Sequence, residues 1–136
     1  MLQYAVAYAA TAVSFVAIDY VWLNYISVNF YRPRLGDILL ESPNIPVAAA
    51  FYLLYCVATV VLVVIPAADN SSLLMAVGFG ALFGLAAYGT YDITNLVTIK
   101  GWSLTVTAVD IAWGMLITAT SATIGYTFVI ATRAAN

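Results

Sequence analysis

Four apolar stretches alternate along the chain with three polar connections. The stretches run from about Gln3 to Tyr25, Ile45 to Ile65, Ser72 to Thr98 and Trp102 to Ala131. A helix needs about 20 predominantly apolar residues to cross hydrocarbon, and each stretch meets that length. The pattern predicts an all-α integral membrane protein: a four-transmembrane-helix bundle, one transmembrane domain over residues 1–136. The first connection, Asn29 to Asn44, is the only substantial polar one and holds Arg32, Pro33, Arg34, Gly36, Asp37, Glu41 and Pro43. The second, Pro66 to Ser72, is a short turn in which Asn70-Ser-Ser72 reads as a helix N-cap. The third, Ile99-Lys-Gly-Trp102, is tight enough to make the last two spans an antiparallel hairpin. Tyr4, Tyr25, Tyr31 and Trp102 sit near span ends, where interfacial anchoring is the simplest reading.

Composition removes the soluble alternative. The chain is 65% hydrophobic and 7% charged, with a mean hydropathy of +1.01, against about 25% charged residues in soluble domains. Four Lys plus Arg and a net charge of −2 exclude the basic patch that a nucleic-acid partner needs. With no histidine and a single cysteine, Cys56, thiolate zinc sites, haem–histidine ligation and disulfide frameworks are excluded within one chain. No cofactor is called for, and Cys56 reads as a small buried hydrophobe. The segment from Met1 to Val6 carries no Lys or Arg, so it lacks the positive region of a secretory signal and reads as a retained first span. Lys and Arg bias sets orientation. Arg32, Arg34 and Lys100 fall on one face against Arg133 on the other, which predicts cytoplasmic Arg/Lys loops and periplasmic termini.

Within the spans, polar residues concentrate at Tyr88-Gly-Thr-Tyr-Asp-Ile-Thr-Asn95. Ionisable residues at membrane depth are functional candidates by default. Only Asp19, Asp92 and Asp110 lie well inside predicted spans. Counting helical turns from the span ends places all three at one level, in the half facing the Arg/Lys loops. Tyr88, Tyr91, Thr94 and Asn95 are expected on or beside that face. Asp19 precedes Trp22 by three residues and Asp110 precedes Trp113 by three, a spacing that puts carboxylate and indole on one helix face. Three carboxylates in a weakly solvated layer cannot all stay ionised together, and they are expected to titrate as a coupled set. That chemistry suits proton coupling or the binding of a cation, with Trp22, Trp113 and Tyr91 offering cation–π faces. It also fits structural glue made with Trp, Tyr, Thr and Asn. A hard cation would find oxygen ligands in Asp19, Asp92, Asp110 and Asn95, although spacing on separate helices does not identify a metal site. Ala76, Gly80, Gly84 and Tyr88 recur every four residues, a small-residue ridge for packing within the chain or, alternatively, for a homodimer.

With these residues assembled, the chain resembles a family of small bacterial inner-membrane proteins known only as a domain of unknown function. The likeness rests on Ile18-Asp-Tyr-Val-Trp-Leu23, Phe30-Tyr-Arg-Pro-Arg-Leu-Gly36, Phe51-Tyr-Leu-Leu-Tyr55 and Ile65-Pro-Ala67. It continues through the Tyr88–Asn95 element, Lys100-Gly-Trp102 and Val109-Asp-Ile-Ala-Trp-Gly114. The resemblance implies four transmembrane helices in a bacterial cytoplasmic membrane and brings no established activity.

Three functions fit. The first is a small protein that binds or carries a protonatable or cationic solute with proton coupling. The second is an accessory subunit of a larger membrane complex, or the partner of a lipid-modifying enzyme. The third is an intramembrane enzyme, for which only Asp-based acid–base chemistry remains. Tyr91-Asp92 resembles the first half of an intramembrane aspartyl protease signature, but no Gly-x-Gly-Asp precedes Asp110. No catalytic residue is assigned. The expected partners are the lipid bilayer and a small-molecule ligand or proton.

Overall fold

In hydrocarbon a backbone has only itself to bond, so each apolar stretch closes its hydrogen bonds as a helix. A computed structural model describes residues 1–135. Its four long helices cover Leu2–Ile38, Ile45–Asp69, Leu73–Thr98 and Leu104–Ala134. Three begin on side-chain caps: Asn44 accepts from the amide of Val47, Ser72 from Met75 and Ser103 from Val106. Such caps satisfy amides that a helix start leaves unpaired.

The first helix departs from expectation. It does not stop near Tyr25 but continues through Tyr31 and the Arg-Pro-Arg segment to Ile38. Leu23–Tyr31 is wound wide, with π-type hydrogen bonds, as is Val60–Val64 in the second helix. Each wide stretch ends two residues before a proline, Pro33 or Pro66. A proline ring collides with the carbonyl four residues back in an α-helix, and opening the preceding turns makes room for it. Asn24 and Asn29 donate back to the carbonyls of Tyr20 and Tyr25, so these polar residues sit in a helix without seeking water. Gly36, at φ +47°, then breaks the chain away.

The outer surface is apolar, unlike that of a soluble bundle, while several polar side chains join the apolar interior. Val13, Leu54, Leu74 and Val97 are all more than 60% exposed, whereas Thr11, Thr59, Thr118 and Ser121 are enclosed. The third and fourth helices make the closest approach. A Cβ on Gly80 would come within 2.8 Å of the Ala119 backbone, and one on Gly84 would run into the Gly114 carbonyl. The ridge of Ala76, Gly80 and Gly84 is therefore buried within the chain. On its other side the fourth helix meets the first, where Gly125 faces Thr11 and the Ala7 carbonyl.

Alternating helix direction brings Gln3, Ala68, Asp69 and Arg133 to one end. The Arg133 guanidinium donates to Asp69 at 2.7 Å, to Gln3 at 2.8 Å and to the Ala68 carbonyl at 2.8 Å. The opposite end carries Arg32, which donates to the Glu41 carbonyl, and Arg34, whose guanidinium lies 4.0 Å from the Phe30 ring centre. Because the Arg133–Asp69 pair is partly exposed, Arg133→Gln is expected to cost about 1 kcal/mol or less. Thermal unfolding in detergent should show a small loss that shrinks as salt is raised.

A candidate intramembrane site of aspartates and aromatics

Asp19 comes from the first helix, Asp92 from the third and Asp110 from the fourth, and all three line one cavity of about 230 Å³. The cavity lies toward the Arg32/Arg34 end. Trp22, Tyr31, Tyr52, Tyr88, Tyr91, Trp102 and Trp113 share its wall, so it holds all three tryptophans of the chain.

The two Asp-x-x-Trp steps exchange partners. The Trp113 indole donates to Asp19 on the first helix at 3.2 Å, and Tyr52 from the second helix donates to the other Asp19 oxygen at 2.6 Å. Trp22 donates to the Tyr31 hydroxyl at 3.2 Å, and Tyr31 donates to Asp110 on the fourth helix. Between these two chains the Trp22 and Trp113 rings stack at 4.0 Å and 8°. One face of each indole is thus taken by the other, which leaves less cation–π surface than two free rings would offer. Tyr88 lies over Gly114, where any Cβ would overlap its ring.

Asp92 differs from the other two. It is completely buried, and neither of its oxygens receives a hydrogen bond from a described residue. The Asp110 carboxyl lines the same cavity and acts on it as a like charge. Two carboxylates have no hydrogen to share, so this arrangement is favourable only with a proton or another cation between them. Asp19 belongs to the Tyr52/Trp113 arm, and among the described residues no three His, Cys, Asp or Glu side chains gather closely enough to hold a metal ion.

Two expected site residues lie elsewhere. Thr94 is exposed on the outer surface and outside the cavity wall, because two positions from Asp92 is more than half a turn round the helix. Asn95 also stays off the wall, one helical turn beyond Tyr91. Tyr91 stands at the rim, 58% exposed, with its ring edge-on to Trp102. Conversely, Tyr31 and Trp102 are wall residues of the cavity, and Tyr31 is buried at 9% exposure with its hydroxyl bonded inward to Asp110. The signal for Tyr52 was its hydroxyl in the middle of an apolar span, which needs an internal partner. Tyr52→Phe removes one donor from buried Asp19 and is expected to lower stability by about 1–3 kcal/mol, measured as a fall in unfolding temperature in detergent.

The sequence matches the family model described as predicted membrane protein (DUF2177) over residues 4–127. The chain belongs to that family. A DUF2177 membership and four helices long and apolar enough to cross a bilayer make the protein a multi-pass membrane protein. No curated protein and no solved structure matches this DUF2177 chain. The Asp19, Asp92 and Asp110 positions all fall inside the matched region.

Proposed function

We propose that this protein binds a small protonated or cationic solute, of the amine class, at Asp92 and Asp110 and exchanges it for a proton. The observation that carries the reading is Asp92: a buried carboxylate with no donor, set against a second carboxylate in a cavity free of Lys and Arg. A proton shared by the pair and a bound cation satisfy the same need, so they compete for one place. Tyr52 and Trp113 donate to Asp19, and Tyr31, itself bonded by Trp22, donates to Asp110, so these donors are already used. Structural glue would have been arranged to give Asp92 a donor as well. The small-residue ridge, which could have offered a face to a partner subunit, is occupied within the chain. In this reading the Arg32, Arg34 and Lys100 end faces the cytoplasm of a bacterium, and the solute reaches the site from that side.

Transport can be read in proteoliposomes containing a trapped pH dye. An outward gradient of ethylammonium should drive proton entry through the wild-type protein above the rate in protein-free vesicles, after subtraction of free-amine leak. No protein-dependent proton movement, together with no amine binding, would remove this function.

A further inference from the structure

We propose that the occupant is an amphiphile, with a protonated amine head against Asp92 and Asp110 and an alkyl chain in the groove beside the second helix. This rests on the cation-binding reading and narrows it. A second hollow of about 670 Å³ adjoins the polar cavity, and Phe15, Val47, Ala48, Phe51, Tyr55 and Ala87 are among its walls. Tyr52, Tyr88, Tyr91 and Asp110 line both spaces. A single layer of side chains, with a carboxylate in it, therefore divides an acidic chamber from an apolar one. Ordinary lipid chains can cover any apolar surface, but a groove that ends on a carboxylate asks for a molecule with charge at one end.

Three features set the nature of that molecule. Its head is cationic, because Asp19, Asp92 and Asp110 line the polar end and no Lys or Arg lines either space. Arg32 and Arg34 are engaged outside it, with the Glu41 and Phe30 carbonyls. A phosphate head would meet like charge there, and a neutral alcohol would leave the Asp92–Asp110 pair without a cation. Its tail is apolar, because the groove is walled mainly by the rings of Phe and Tyr and the aliphatic side chains of Val47, Ala48 and Ala87. The groove alone lies within the size range of ligand sites, about 300–1,000 Å³, whereas the 230 Å³ polar cavity suits a head only.

The test uses the full chain in lipid nanodiscs and a dodecylamine probe carrying a diazirine midway along its chain. After illumination and mass spectrometry, label should concentrate on Val47, Ala48, Phe51 and Ala87. Ala48→Phe fills the groove without touching the polar cavity, whose wall excludes Ala48, and should cut labelling about tenfold. Ethylamine binding, read through the fluorescence of Trp22, Trp102 and Trp113, should survive that substitution. If ethylamine binds through Asp92 but label spreads over outward residues such as Leu54 and Val97 regardless of Ala48→Phe, the amphiphile is wrong and the amine site stands. Equal groove labelling by dodecanol or dodecyl phosphate probes would overturn the amine head. If neither amine perturbs the tryptophans or labels the groove, both readings fall.

Discussion

Replacing Asp92 by asparagine should lower amine affinity about a hundredfold while leaving the fold as stable as before, or more stable. The binding loss follows from removing one charge of a buried ion pair, worth about 3 kcal/mol. Stability moves the other way because Asp92 receives no hydrogen bond in the folded chain. The amide introduced by Asp92→Asn is neutral and offers a donor to Asp110 in the same cavity, and one such hydrogen bond contributes about 1 kcal/mol. Function and stability then change in opposite senses, as happens where an active arrangement is held at some energetic cost. Structural glue predicts the reverse: loss of stability, with no binding to lose. Fluorescence titration with ethylamine and thermal unfolding in the same detergent separate the two outcomes on one sample. Asp19→Asn provides the contrast. Asp19 accepts from both Tyr52 and Trp113, so its amide would set a donor against donors and should destabilise the bundle.

The largest stability loss should come from Gly84→Ala. Its added methyl meets the Gly114 backbone rather than a side chain that can swing away, so the third and fourth helices must separate. Overpacking in a tight core costs about 1–3 kcal/mol and occasionally more, and separation would also displace Tyr88, which lies over Gly114. We expect Gly84→Ala to reduce the folded yield sharply and to lower the unfolding temperature more than any other single methyl. Gly78→Ala on the same helix meets nothing within 4 Å. It should be neutral or gain the modest helix preference of alanine, about 0.5–1 kcal/mol. Size-exclusion profiles and unfolding curves of the two variants decide the matter. Similar behaviour in both would show that the close approach does not hold the bundle together.

Much of this arrangement was legible because lipid leaves a helix few choices. Span number and the short last hairpin follow from hydrophobic length, while small-residue spacing marked Ala76, Gly80 and Gly84 as a packing ridge without deciding between the chain itself and a homodimer. Depth counting likewise brought Asp19, Asp92 and Asp110 to one cavity. What hydrophobicity could not reveal was the continuation of the first helix. Arg32, Pro33 and Arg34 look like a loop, yet wide turns before Pro33 let the helix run on and carry Tyr31 inward to Asp110. The Asp-x-x-Trp spacing correctly placed acid and indole near each other on a face. It could not indicate that Trp113 serves Asp19 while Trp22 reaches Asp110 only through Tyr31. That exchange depends on how two helices meet, which lies beyond the periodicity of either one. Thr94 illustrates the opposite error: nearness in sequence to Asp92 does not confer a shared face.

We propose exchange of a proton for an amine cation at the Asp92–Asp110 pair. Calorimetric titration of ethylamine hydrochloride into the protein, repeated in two buffers of different ionisation enthalpy at one pH, tests it most directly. Saturable heat whose size differs between the buffers is expected, showing proton release on binding, with loss of that heat in Asp92→Asn. Buffer-independent heat, or heat that persists unchanged in Asp92→Asn, would contradict it.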